Sequence, residues 1–313
     1  MTQSPSPGNL CALLTERRLI HIGGIDAAQF LNTIITADVT ALAPGLMAPA
    51  ALLSPQGKIM FDFLIAPMPA GAEPSGEAGF LLDIAAPLAE DFIRRLSLYK
   101  LRANVRIAPP QSCLIGIITK APITAQTALP ALALPRPCFT LPDARFPPAA
   151  AVCRAYYQTD STAFATIDKA ATEQNWDRLR IAHAVPESGS DFILGDIFPH
   201  NVNYDCLGAV ARQKGCYIGQ EIVSRMQHKT IIRKRLVQVE AKQALPPSGT
   251  EILLNGKIIG RLGTVYGQKG LALIRLDKIP PANSQAAQAG EVALHFTAPP
   301  YLPQAISARA GTA

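Results

Sequence analysis

From residue 236 onward the chain can fold in few ways. Short β-like runs at residues 236–240, 251–254, 258–266 and 271–276 follow one another, with a further run at 292–296. Asn255-Gly256 and Gly267-Gln268-Lys269-Gly270 separate them, and both are turn chemistry. A strand this short buries little by itself. Five of them within about 65 residues must roll against one another, which predicts a small β-barrel. The texture before this stretch mixes strands with helices, so a domain boundary is expected near residues 232–236.

The preceding part reads as an α+β body. A strand at 19–22 leads through Gly23-Gly24 to a helix from about Asp26, where Phe30, Leu31, Ile34 and Ile35 recur at helical spacing. Two apolar runs, 46–53 and 58–66, are joined by Ser54-Pro55-Gln56-Gly57 and form a predicted hairpin. A strand at 80–84, a helix over 87–99 and strands at 104–108 and 113–119 follow. Residues 121–151 hold seven prolines and nine alanines and are expected to be an irregular surface insert. Beyond them come a strand at 152–157, a helix over 170–183 and a long Gly/Pro/Asp loop at 186–203.

With 313 residues, 49% apolar and 17% charged, the chain has ample core for about two domains and is not disordered. Its apolar runs fall short of the roughly 18 residues that would span a bilayer. The start, Met1 to Leu10, lacks the basic and apolar regions of a secretory signal and the early arginines of a mitochondrial presequence. Cys11, Cys113, Cys138, Cys153, Cys206 and Cys216 are scattered, without CxxC or Cys/His zinc spacing. No stable metal is therefore expected, and unpaired thiols suggest a reducing, cytoplasmic location.

The densest chemistry lies in Lys214-Gly215-Cys216-Tyr217-Ile218-Gly219-Gln220-Glu221. So many polar groups make poor core material, and the stretch reads as a loop opening a helix near Gly219. Cys216 would then sit before a helix N-terminus and two residues from Lys214, a setting that favours thiolate. An inert cysteine in an ordinary turn is the plain alternative. Seven of the 29 basic residues and one of the 23 acidic ones lie between Arg212 and Arg235, so this segment carries the whole net charge of +6. It suits an anionic ligand or partner, or else a solvated face.

Residues 214–221 resemble the K-G-C-Y-x-G-Q-E signature of YgfZ-type folate-binding proteins, relatives of the glycine-cleavage T-protein that include iron–sulfur assembly factors. Phe30-Leu31-Asn32 with Thr36-Ala37-Asp38-Val39, Leu53-Ser54-Pro55-Gln56-Gly57-Lys58 with Asp62, Leu179-Arg180-Ile181 with Pro186, and Asn203-Tyr204-Asp205 with Gly208-Ala209-Val210 extend the match over about residues 10–300. The resemblance implies an aminomethyltransferase-like folate-binding α+β body of two interlocked subdomains (10–234), a C-terminal small β-barrel (235–300), and tails at 1–9 and 301–313. It further implies tetrahydrofolate or a one-carbon derivative as cofactor, and a role in making or repairing iron–sulfur enzymes, among them a tRNA methylthiotransferase. The partners would be assembly or client proteins rather than a membrane. Asp62 would accept from the pterin N–H groups, and Arg180 or Arg225 would pair with the glutamate tail. Asn203, Lys214, Tyr217, Gln220 and Glu221 complete the implied cofactor-binding set, with Cys216 and Asp62 as the reacting groups. T-proteins carry paired acids where this chain has Phe61-Asp62, which argues against aminomethyl transfer and against classical turnover. A folate-dependent C1 transferase and, last, a basic tRNA-binding module are the competing readings.

Overall fold

The computed structural model describes residues 9–68, 78–119, 137–157, 164, 167–229, 232–278 and 286–303. The chain divides into two compact units: Met1–Ala50, Phe61–Trp176 and Gln213–Gly215 form the first, and Ala51–Met60, Asp177–Arg212 and Cys216–Ala313 the second. The expected α+β composition with a C-terminal barrel is what is found.

In the first unit, strands β1 (Asn9–Leu14), β8 (Leu114–Thr119), β10 (Cys153–Tyr157) and β9 (Phe139–Pro142) form an antiparallel sheet in the order β1-β8-β10-β9. The other sheet runs β3 (Ala48–Leu53), β4 (Ile59–Pro67), β5 (Gly79–Ala85), β2 (Arg17–Gly23), β6 (Arg106–Ile107), with β7 (Gln111–Ser112) also paired to β2. The tip of the β3–β4 hairpin, Ala51–Met60, groups with the second unit. Helix α1 (Ala27–Ile34) buries Phe30, Leu31 and Ile34, as its spacing predicts. Asp26 holds the N-cap position without a side-chain cap; its Oδ2 instead accepts the Asn104 N–H at 2.7 Å. Helix α2 (Ala89–Lys100) sets Phe92 into the core, where its ring meets Phe61 and Phe63 at centroid distances of 5.2 and 4.9 Å.

One feature of this unit escaped the sequence reading. Asp83 lies in the middle of the apolar strand β5 with no exposed surface, and it is met by Arg17 Nε and Arg154 Nη1, both at 2.6 Å, and by the Tyr156 hydroxyl at 3.1 Å. Arg154 Nε also donates to Asp143 at 2.9 Å, and Arg145 donates to the same carboxylate at 2.9 and 2.6 Å. The guanidiniums of Arg145 and Arg154 lie 5.8 and 5.6 Å from the Trp176 ring, which adds a cation–π contact to a network richer in cations than anions. Asp143 and Arg145 belong to the segment expected to be an irregular surface insert, but its last part is built into a sheet: β9 pairs with β10 and ends at this network. Residues 121–136 of that segment lie outside the described residues.

The second unit holds the barrel. Strands β11 (Lys234–Glu240), β12 (Glu251–Leu254), β13 (Lys257–Tyr266), β14 (Lys269–Arg275), β15 (Gln288–Ala289), β16 (Val292–Ala293) and β17 (His295–Thr297) pair in the order β16-β15-β12-β13-β14-β11-β17. The two ends of that path, β16 and β17, are separated in sequence by Leu294 alone, so the sheet must curl back on itself. Val237, Ile252, Ile259, Leu262, Ile274 and Phe296 fill its interior. Asn255 and Gly256 both take positive φ (50° and 72°), as a two-residue hairpin turn demands. Two more helices, α3 (Lys169–His183) and α4 (Gln220–Lys229), complete the described elements that bear on function.

Burial pushes the Asp83 carboxyl up, but Arg17 and Arg154 outweigh it and hold its pKa below the ordinary 3.8; Arg145 and Arg154 do the same for Asp143. A depressed folded-state pKa gives stability that is present above the unfolded value and lost as pH falls through the folded one. The protein is therefore expected to lose stability steeply below about pH 4. Asp83→Asn should be less stable at neutral pH by about 3 kcal/mol or more, with a flatter acid limb, as read by urea unfolding across pH.

Candidate functional site

Two of the sequence motifs meet inside the second unit. The hairpin turn is closed by Gly57 N–H donating to Ser54 O and Ser54 N–H to Lys58 O, both at 2.8 Å. Against it sits the start of α4. A Cβ placed on Gly219 (φ +80°) would lie 2.6 Å from Ser54 O and 3.1 Å from Gly57 Cα, while one on Gly57 (φ +77°) would lie 3.0 Å from Ile222 Cβ. Glycine at both positions lets the two backbones touch and supplies the positive φ each needs.

That contact divides the signature between interior and surface. Tyr217 is buried among Leu53, Ile59, Phe192, Val202, Tyr204 and Val223, and burial pushes its phenol up to about 12. Cys216, one residue earlier, is exposed. Gln220 opens α4 half-buried; Glu221 is exposed and pairs with Arg225 across one turn at 3.0 Å, both side chains mostly in solvent. Such a pair adds little to stability and leaves both groups facing water. On the hairpin, Lys58 Nζ donates to Asp196 O at 2.6 Å and stands 3.8 Å above the Phe198 ring, a cation–π contact that the sequence did not announce.

Lys214 belongs to the first unit. Its ammonium donates to Ile35 O and Ala37 O, both at 2.7 Å, so it anchors the loop after α1. Burial pulls it down to about 8, with the Asp38 charge acting the other way. Asp62 lies on β4 between Phe61 and Phe63. Those two rings share the face toward Phe92, so Asp62 points to the opposite face of the strand, half-buried.

Arg180 is wholly buried. Its Nη1 donates to Asp191 Oδ2 at 2.6 Å and Val185 O at 3.2 Å, its Nη2 to Asp177 Oδ1 and Thr264 Oγ1 at 2.7 Å each, and its Nε lies 3.3 Å from Glu187. Asn203, also buried and left-handed at φ 62°, donates from Nδ2 to Leu236 O at 2.8 Å and to the Tyr301 hydroxyl at 3.2 Å. Arg235 grips Asp205 through two bonds of 2.6 and 2.9 Å. These residues brace the 186–210 loop within the second unit. The basic segment is thus not one surface: Lys214 and Arg235 are spent internally, while Arg212, Arg225, Arg233 and Lys234 are exposed. Among the described residues no cluster of three or more His, Cys, Asp or Glu could hold a metal.

The fold resembles a crystal structure of the glycine cleavage system aminomethyltransferase T from Bartonella henselae, with a TM-score of 0.66 over 94% of this chain and 87% of that one, at 14% identity. Residues 233–304 match the family described as CAF17, C-terminal beta-barrel domain. The Mus musculus protein named "Iron-sulfur cluster assembly factor IBA57, mitochondrial" is 28% identical over 94% of this chain and 86% of its own length. The Homo sapiens protein of the same name is 28% identical, with 94% and 85% covered. This chain is similar in sequence to proteins named IBA57. The resemblance to YgfZ-type proteins read from the signature agrees with that similarity. The cytoplasmic expectation is corrected: the similar IBA57 proteins are named mitochondrial, not cytoplasmic. Unpaired cysteines report a reducing compartment without saying which one.

The glycine contact carries the prediction of this section. Gly219→Ala should cost about 2–4 kcal/mol in urea unfolding, since both clash and positive φ oppose a side chain. Gly215→Ala, where an added Cβ meets nothing within 4 Å, should be nearly neutral.

Proposed function

We propose that this chain supports the maturation or repair of iron–sulfur enzymes as a folate-binding protein in which Cys216 is the acting group. The observation carrying this reading is the alignment, over 94% of the chain, with proteins named iron–sulfur cluster assembly factors. An exposed thiol beside a rigid glycine contact is a suitable instrument. Clusters take about four cysteinyl ligands, so Cys216 would act together with thiols of an assembly or client protein.

Tetrahydrofolate suits the donor set residue by residue. Asp62 is a carboxylate on the strand face opposite the Phe61–Phe92 packing and would accept from pterin N–H groups. A glutamate tail asks for a solvent-facing guanidinium, which Arg225 offers; Arg180 already donates to Asp191, Asp177, Thr264 and Val185 and has Glu187 3.3 Å from its Nε. Asn203, Lys214 and Tyr217 would shape the site through the loops they hold rather than by direct contact. Gln220 and Glu221, at the start of α4, would present polar groups beside Cys216. When bound, folate would supply a one-carbon carrier; the chain would hold it, orient it and keep Cys216 accessible.

Aminomethyl transfer ranks below this reading because Phe61, where a second acid would stand, is buried against Phe92 at 5.2 Å. A nucleic-acid module ranks last because the basic segment spends Lys214 and Arg235 internally.

Two measurements test the proposal. In a deletion strain, Cys216→Ser should fold normally yet leave iron–sulfur enzyme activities at the level of the empty vector; full rescue would remove Cys216 from the mechanism. Calorimetry with tetrahydrofolate should show binding to the wild type that weakens at least about tenfold in Asp62→Asn, the loss of a charge-assisted hydrogen bond. Equal affinity would remove Asp62 from the site.

A further inference from the structure

Three large aliphatic side chains of the first unit stand largely in solvent: Ile25 is 86% exposed, Leu101 87% and Leu98 65%. They come from neighbouring segments. Asn104 N–H donates to Asp26 Oδ2 at 2.7 Å and Asp26 N–H to Asn104 O at 3.3 Å, which ties the turn carrying Ile25 to the one following Leu101. A shallow hollow of about 350 Å³ lies there, lined among others by Asp26, Tyr99, Lys100, Leu101 and Arg102.

Leu101 adds a second observation. It closes α2 at φ 47°, ψ −111°, a conformation that glycine adopts freely and a leucine only under strain. Its side chain is almost bare, so packing within the chain does not offset that strain. The surroundings are basic: residues 90–106 hold Arg94, Arg95, Lys100, Arg102 and Arg106 against Glu90 and Asp91.

We propose that this corner of the first unit docks on an anionic lipid surface, with Ile25 and Leu101 entering the acyl boundary and Lys100 and Arg102 meeting the headgroup phosphates. Protruding aliphatic tips flanked by cations gain from both insertion and headgroup attraction. A protein partner would need about 800 Å² on each side and a packed recess, which three separate protruding side chains and a shallow hollow lined by only one of them, Leu101, do not provide. Among the described residues no helix is long and apolar enough to cross a membrane. No sequence window could reveal it, because the turn carrying Ile25 and the one after Leu101 meet only in the fold, through the Asp26–Asn104 bonds and the β2–β6 pairing.

Co-sedimentation of the full chain with vesicles tests this. The wild type should partition onto phosphatidylcholine vesicles containing phosphatidylglycerol about tenfold more than onto phosphatidylcholine alone. Leu101→Gly, which removes the strain and keeps the fold, should lose most of that binding; Lys100→Gln with Arg102→Gln should erase the preference for anionic lipid. Wild-type protein that stays in solution with both vesicles, leaving a protein partner as the occupant, would overturn the proposal. So would binding unchanged in Leu101→Gly, or a dimer that forms without vesicles and is abolished by Leu101→Gly.

Discussion

Arg154 and Arg180 are each removed from water, and a guanidinium in such a place is tolerable only while carboxylates and other acceptors face it. In the first unit that requirement binds β2, β5, β10 and the segment after β9 through Asp83 and Asp143. In the second it binds α3, the loop after it and β13 through Asp177, Asp191 and Thr264. Asp191 Oδ1 also accepts the Thr264 N–H at 2.8 Å, and a Cβ on Gly263 would come within 2.6 Å of that same oxygen. The backbone of β13 is therefore shaped around the carboxylate as much as the carboxylate is shaped to the arginine.

The candidate site is organised by a smaller thing, the touch of Gly57 and Gly219. A turn and a helix start that approach to backbone contact fix the direction of the residues just before the helix. Tyr217 is turned into the cluster around Leu53 and Val202 while Cys216 is left outside. The Cys216 thiol is thereby held one residue from buried apolar packing.

Much of this was legible. The turn residues Asn255-Gly256 and the short β runs announced the barrel, the spacing of Phe30, Leu31 and Ile34 announced α1, and Gly219-Gln220 marked the start of α4. The missed parts have a common cause. Asp83 in Phe-Leu-Leu-Asp-Ile and Arg154 in Cys-Arg-Ala-Tyr are charges inside apolar strands, which signals that each needs a partner without naming it. Asp83 meets Arg17 and Arg154 from distant strands, and the second carboxylate facing Arg154, Asp143, lies in a Pro/Ala-rich stretch whose local propensity predicts nothing. The basic segment misled in the opposite way: adjacency in sequence made one patch of residues that the fold sends to different places.

The sequence by itself determined the class of fold, because periodicity and turn chemistry are local properties carried by neighbouring residues. Only the tertiary structure decided which charges are interior, that Arg180 is a brace while Arg225 faces solvent, and that Ile25 and Leu101 share one exposed corner. Those outcomes depend on pairings between residues far apart in the chain, and the free energy of a buried charge is set by what faces it, not by what precedes it.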